Sequence, residues 1–394
     1  MLLADWSMAS SHNGKDNISC GKMKKKKILI FHYNLQGGGA ERVLVNLLKY
    51  LNLNKYEVTL KTIFGSGPYV KDVPEGVKYS CVFKREFKGF NTMMKALPGR
   101  FWHWLFIRGH YDIEIAYLEN SPTRIVAACP HKDTKKVGWV HIEFDQRATP
   151  CAGFRDDVEM VTAYNKLDRV VFVAQRTREN FMNLFPEINV PFQVIHNVND
   201  FDKIKRMAQD DISIDLSEKA LNLCAVNRLF AHKGFDRLIK AFKRLENTGL
   251  IDDVRLYILG DGPERNNLGQ LIADNGLSDY VKLLGFDSNP YKFVSKMDLF
   301  VCSSYREGYS TATTEAISLG VPVFTTDCSG MEEILEDGEF GMIVPNDDEA
   351  IYQGLKDLLS HREIIAQYRA AIQAAPPLTT QSLVDKYEEF FDSL

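Results

Sequence analysis

The chain has no C-x-x-C pair, no low-complexity tract and no apolar run approaching the ~18 residues of a membrane span. Its 7 cysteines, Cys20, Cys81, Cys129, Cys151, Cys224, Cys302 and Cys328, are scattered. Most sit in or beside apolar strand-like runs, as small buried hydrophobes of a reducing compartment do. A strong charge of one sign is also missing: the net charge of −4 argues against bulk nucleic-acid binding. The glycine triplet Gly37, Gly38, Gly39 lacks the further glycine of a G-x-G-x-x-G fingerprint, which disfavours a nicotinamide cofactor.

What is present is ordinary globular material, 45% hydrophobic and 25% charged, in 394 residues. That length suits about two domains. Residues 1–22, MLLADWSMASSHNGKDNISCGK, are polar and too short of apolar residues for a signal peptide. They read as a disordered leader or tag, with Met23 as a sensible alternative start.

From Lys26 onward the pattern is strand, turn, helix, repeated. KKILIFHY is an apolar run of the kind a central parallel strand needs, and it leads through Gly37–Gly39 into a helix with an apolar stripe from Val43 to Leu51. Glycines there let backbone N–H groups approach a ligand at the positive helix end, although a tight turn would look the same. Further strands read at Tyr56–Phe64, Val77–Phe83, Tyr111–Leu118, Lys135–Phe144, Arg169–Ala174 and Phe192–Asn197. The expected divisions are a first Rossmann-like domain at 23–198, a linker at 199–219 and a second Rossmann-like domain at 220–375. A last helix at 376–394 is expected to cross back to the first domain.

The segment from Phe83 to His110 is basic and aromatic. Lys84, Arg85, Lys88, Lys95, Arg100 and Arg108 face a single acid, Glu86, among Phe87, Phe90, Phe101, Trp102, Trp104 and Phe106. Two readings remain open. The segment either docks on an anionic membrane surface, through Lys84, Arg85, Lys88, Arg100, Trp102 and Arg108, or packs its rings on the sheet and solvates its charges.

In the second half, Arg228 and Lys233 bracket the turn NRLFAHKGF after a strand. An arginine and a lysine so placed can converge on a phosphate pair. The turns GDGP, with Gly262, and GFDSNP, with Phe286, follow the next strands in the same relative place. Glu307 lies on a strand-to-helix turn and Glu315 about two turns into the helix, hence about 10 Å away at helical rise. That is too far to share a proton; two separate acceptors gripping a hydroxyl-rich ligand fit better. His141 falls near the carboxyl end of its strand, where open parallel sheets bind ligands, and a structural histidine would look the same. No metal-ligand cluster is evident, and the single D-x-D, Asp200 to Asp202, reads as structural.

Together VNRLFAHKGFDRLIKAF, LYILGDGPERNNL, VKLLGF and SSYREGYSTATTEAISLGVPVFTTDCSGMEEILEDGEFGMIVP resemble a family 4 retaining glycosyltransferase of the GT-B fold. GGGAERV and VIHNVND resemble that family's first-domain loop and interdomain segment. The resemblance runs from Met23 over nearly the whole chain. It implies two Rossmann-like α/β domains facing across a cleft. It also implies transfer of a sugar from a nucleoside-diphosphate donor, UDP-linked, to a hydroxyl of a glycan or lipid-linked acceptor in bacterial polysaccharide or glycolipid assembly. Arg228 and Lys233 would hold the diphosphate, Glu307 the donor sugar, and the backbone at Gly308, Tyr309 and Ser310 would lie beside it. Glu315 would take the ribose hydroxyls, the turn around Phe286 would meet the base, Gly38 and Gly39 would let the first domain close, and His141 would touch the sugar. No cofactor and no metal are implied, and the setting is cytoplasmic, peripheral on the inner membrane face. An epimerase or hydrolase of the same fold, or a silent partner subunit, would share these features. Two departures stand out: the usual EGFG reads EGYS, with Ser310 for glycine, and His196 stands where proline is common.

Overall fold

The computed structural model describes residues 24–144, 146–147, 153–212, 214, 216 and 219–394. The leader, Met23, Cys20 and Cys151 lie outside these residues, as do parts of the expected linker.

The first half runs β1 (Lys26–His32), α1 (Gly39–Tyr50), β2 (Tyr56–Phe64), β3 (Lys78–Phe83), α2 (Phe90–Ala96), α3 (Gly99–Phe106), β4 (Ile113–Ala116), α4 (Ser121–Val126), β5 (Lys135–Val140), α5 (Asp157–Tyr164), β6 (Arg169–Phe172), α6 (Gln175–Leu184), β7 (Phe192–Val194) and α7 (Phe201–Met207). The second continues with β8 (Leu221–Val226), α8 (Phe235–Glu246), β9 (Val254–Leu259), α9 (Arg265–Asp274), β10 (Val281–Gly285), α10 (Tyr291–Val294), β11 (Leu299–Cys302), α11 (Thr311–Ser318), β12 (Val323–Thr326), α12 (Met331–Ile334) and β13 (Gly341–Val344). It closes with α13 (Asp348–Ser360), α14 (Glu363–Ala374) and α15 (Thr380–Ser393).

Two parallel sheets result: a 7-stranded one in the order β3-β2-β1-β4-β5-β6-β7, and a 6-stranded one in the order β10-β9-β8-β11-β12-β13. Helices cover both faces, so the central strands are apolar without alternation. Ile28, Leu29, Ile30 and Phe31 are all fully buried. Opposite β1, α1 presents Val43, Leu44, Leu47 and Leu48, while α8 presents Leu238, Ile239, Phe242 and Leu245 to the second core. The strand order reverses between β1 and β4 and again between β8 and β11. Those switch points are where loops splay apart and leave a crevice at the carboxyl ends of the strands.

The last helix belongs to the first core. Val384, Tyr387, Phe390 and Phe391 of α15 pack against it, and the Tyr387 ring stacks on Trp139 at 5.0 Å. Within the 199–219 stretch, Asp200 caps α7 through Lys203 N–H at 3.1 Å and accepts from Tyr50 Oη at 2.7 Å. The D-x-D carboxylate is thus engaged in holding helices together.

One expectation needs correcting. Trp102 is not a membrane contact: it is buried, and its Nε1–H donates to the Met94 carbonyl at 2.9 Å. Phe90, Met94, Trp102 and Phe106 face the sheet, because α3 is short and aromatic on every side and its fit to Ile125 and Val126 decides which rings go inward. Burying an indole of roughly 200 Å² stabilises by at most about 5 kcal/mol, so this ring would not leave for a bilayer. The rings that do face water are Phe87, Phe101 and Trp104, the last 70% exposed. Around them Lys84, Arg85, Lys88, Arg100 and Arg108 are exposed.

Candidate active site

The loops after β1, β4, β5, β8 and β11 meet at one cleft of about 400 Å³ between the two sheets. Gly38, Gly39, His141, Arg228, Lys233, Glu307, Gly308, Tyr309 and Ser310 line it. Arg228 and Lys233 both reach it from the loop after β8.

Local geometry explains how they arrive there. After β8 the chain makes a tight turn at Ala231–Lys233 and enters α8 through Gly234, at φ +67°. A Cβ on Gly234 would fall 2.0 Å from the Ser303 carbonyl, so glycine lets this turn lie against the end of β11. Lys233 Nζ donates to Glu307 Oε1 at 2.8 Å, and Ser304 Oγ donates to the same oxygen at 2.6 Å. Both partners are largely covered, at 15% and 11% side-chain exposure, so the contact is stronger than a surface pair. Arg228 is exposed, with its guanidinium 5.0 Å from the Phe230 ring.

Ser310 begins α11. Its Oγ accepts from Thr313 N–H at 3.3 Å, and Thr311 and Ala312 carry the helix start along the cleft wall. Free N–H groups and the positive helix end are thereby offered to an anion. The serine in EGYS thus serves as a helix cap. At Gly308 the two halves approach closely: a Cβ there would lie 2.0 Å from the His141 carbonyl.

His141 is buried, and its Nε2 has no hydrogen-bond partner among the described residues. Burial, helped by the neighbouring His32, pulls its pKa down to about 3, so the ring is neutral at physiological pH. Its main-chain N–H donates to Glu119 Oε2 at 3.2 Å, and burial pushes that carboxyl up to about 7. Next to it, Asn120 adopts φ 71°, an uncommon conformation for a residue with a side chain.

Not every expected residue joins this cavity. Gly262 and Phe286 lie at the ends of β9 and β10 outside its lining, with Phe286 76% exposed. Glu315 is buried in α11 and engaged by Arg42 of α1, whose Nη1 lies 3.2 Å from Glu315 Oε1. Arg42 escaped the sequence reading although it stands in the quoted GGGAER stretch; it looked like ordinary helix surface. His196 was also undervalued. Its Nε2–H donates to Glu333 Oε2 at 2.7 Å, and its ring stacks on Tyr309 at 4.6 Å. Glu333 Oε1 accepts Gln175 N–H at 2.7 Å, so one carboxylate joins α12 to the hinge and to α6.

His103, Glu114 and Cys129 form the one group of three potential metal ligands found among the described residues. It lies on α3, β4 and the turn after α4, outside the cleft, as a hydrogen-bonded cluster with His103 Nε2 2.9 Å from Glu114 Oε2.

Residues 37–203 match the family described as Glycosyltransferase Family 4, and residues 206–376 match Glycosyl transferases group 1. Among curated proteins, a Campylobacter jejuni relative is 29% identical over 358 residues, spanning 87% of this chain and 93% of its own length. That relative is named N-acetylgalactosamine-N,N'-diacetylbacillosaminyl-diphospho-undecaprenol 4-alpha-N-acetylgalactosaminyltransferase. The Rhizobium meliloti lipopolysaccharide core biosynthesis glycosyltransferase LpsE is 31% identical over 159 residues, 40% of this chain and 45% of that protein. The solved structure of Anabaena HepE in complex with UDP and glucose superposes with a TM-score of 0.70 at 18% identity, covering 94% of this chain and 100% of that one.

Proposed function

The chain belongs to the family 4-like glycosyltransferases of the GT-B fold, and on that premise we propose that it moves a sugar from a UDP-linked donor to a hydroxyl of a lipid-linked glycan. The reading retains the anomeric configuration and uses no metal. One observation carries it: Arg228, Lys233 and Glu307 share a single cleft with the amino end of α11. A cation pair and a helix start suit a diphosphate. A carboxylate 2.8 Å from the ammonium suits the sugar hydroxyl next to that phosphate.

In the reaction, the bond from the anomeric carbon to the β-phosphate oxygen breaks and a bond to the acceptor oxygen forms on the same face. The acceptor proton passes to the departing phosphate oxygen. Arg228, Lys233 and the α11 N–H groups stabilise the charge that develops on the diphosphate. The role left for Glu307, engaged by Lys233 and Ser304, is to hold and orient the sugar. Neutral His141, with its free Nε2, offers a further hydrogen bond to it. A panel of nucleotide sugars with water as acceptor tests this: slow UDP release from one UDP-sugar is expected. Absence of both release and UDP binding across the panel would overturn the reading, and full-rate release without acceptor would make the protein a hydrolase.

The acceptor assignment draws on the undecaprenol-linked substrate in the name of the Campylobacter relative and on the exposed surface of α2 and α3. No helix among the described residues is long and apolar enough to cross a membrane. Trp104, Phe101 and Phe87, ringed by Lys84, Arg85, Lys88, Arg100 and Arg108, fit the headgroup layer of an anionic bilayer. Flotation with phosphatidylglycerol liposomes is expected to carry the protein. The Trp104→Ala/Arg100→Ala/Arg108→Ala variant should stay behind, and its co-flotation at the wild-type level would remove the surface from the scheme.

A further inference from the structure

Resting on the reading of Glu315 as the ribose acceptor, we propose that Arg42 of the first domain is a positioning residue for the donor: it fixes and orients the Glu315 carboxylate from the other domain. The geometry is specific. Arg42 Nη1 lies 3.2 Å from Glu315 Oε1 and 3.1 Å from Tyr291 Oη, while Arg42 Nε donates to Tyr69 Oη at 3.1 Å. Tyr291 Oη donates to the same Glu315 oxygen at 3.2 Å. Oε1 is therefore committed twice. No protein partner engages Oε2 among the described residues, so it remains the acceptor for a ligand hydroxyl.

The contacts join elements far apart in the chain. Arg42 lies on α1, directly after the glycine loop; Tyr69 sits in the short turn at Pro68–Asp72; Tyr291 and Glu315 lie on α10 and α11. The groups facing the Glu315 carboxylate are Arg42 and Tyr291, and Tyr69 faces Arg42 from its other side. Burial raises the Glu315 pKa, and Arg42 is the cation that opposes the rise. A guanidinium can bond two or three oxygens at fixed angles, whereas a lysine ammonium would supply charge without the fork. The first domain thus supplies the guanidinium that holds a carboxylate carried by the second, so this contact forms when the two domains approach.

The test uses UDP binding by titration calorimetry at pH 6, 7 and 8, with each variant compared with wild type at the same pH. Arg42→Met should bind more weakly, with a deficit that grows from pH 8 to pH 6, because an unopposed buried Glu315 takes up a proton as pH falls. Arg42→Lys should fall between the two with no added pH dependence. Thermal melting checks that each variant is folded. Wild-type affinity of Arg42→Met at every pH would overturn the proposal, as would a pH-independent deficit accompanied by a lower melting temperature, the mark of a plain interdomain brace. Glu315→Gln separates the two levels. If it binds UDP like wild type, the ribose reading falls. If it binds weakly while Arg42→Met is normal, the role of Arg42 alone falls.

Discussion

Lys233→Ala should lower turnover by about 10²–10³-fold while the protein stays folded, the scale seen when a preorganised group that stabilises transition-state charge is removed. The fold is spared because the Ala231–Lys233 turn is closed by main-chain bonds, Lys233 N–H to Phe230 O at 2.9 Å and Gly234 N–H to Ala231 O at 3.1 Å. The chemistry suffers twice. The departing diphosphate loses an ammonium, and Glu307, held by that ammonium at 2.8 Å, becomes an uncompensated carboxylate beside another anion. Lys233→Ala/Glu307→Gln separates the two losses, since it should recover part of the UDP affinity and little of the rate. Steady-state kinetics with the donor found by the hydrolysis panel, together with UDP titration, would check both. Near-normal turnover of Lys233→Ala would refute its assigned role.

How much of this was legible beforehand depended on the kind of interaction. The strands could be read because helices bury both faces of each sheet, leaving unbroken apolar runs such as Ile28–Phe31. The turns bearing Arg228, Lys233 and Glu307 could be placed because strand order alone brings the ends of β8 and β11 together. Facing was harder. Nothing within the eight residues of α3 distinguishes Trp102 from Trp104, yet one is buried and the other 70% exposed. Contacts across the cleft were hidden for another reason. Arg42 and Glu315 are separated by 273 positions, and their meeting depends on how two separate sheets face each other. The partner of His196 was hidden too, because Glu333 lies 137 positions away and their tie emerged with the structure.

Removal of Arg237 should have the largest effect on stability. This residue of α8 is 1% exposed, and its guanidinium has no carboxylate partner among the described residues. Instead Nε donates to Ser303 O at 2.8 Å, and Nη2 donates to Ser304 O at 2.6 Å and to Asn346 Oδ1 at 2.7 Å. The Tyr305 ring lies 3.9 Å from the guanidinium carbon, and Asn346 Nδ2 returns a bond to Tyr305 O at 2.9 Å. Arg237 thereby pins the chain leaving β11, two to four residues before Glu307. Arg237→Ala would leave the buried Ser303 carbonyl unpaired and open a cavity behind Tyr305, while the Ser304 carbonyl would keep Thr326 Oγ1 at 2.7 Å; the loss is about 3–4 kcal/mol. For a domain of this size that corresponds to a melting temperature lower by roughly 10 °C. Activity should fall even where the variant remains folded, because a shift of about 1 Å in the loop would carry Glu307 away from Lys233, and displacements of that size can cost about 10²-fold. Arg237→Lys, with charge but one reachable carbonyl at a time, should recover part of the stability and less of the rate. Equal recovery of both would mean that the clamp supports the fold without setting the position of Glu307.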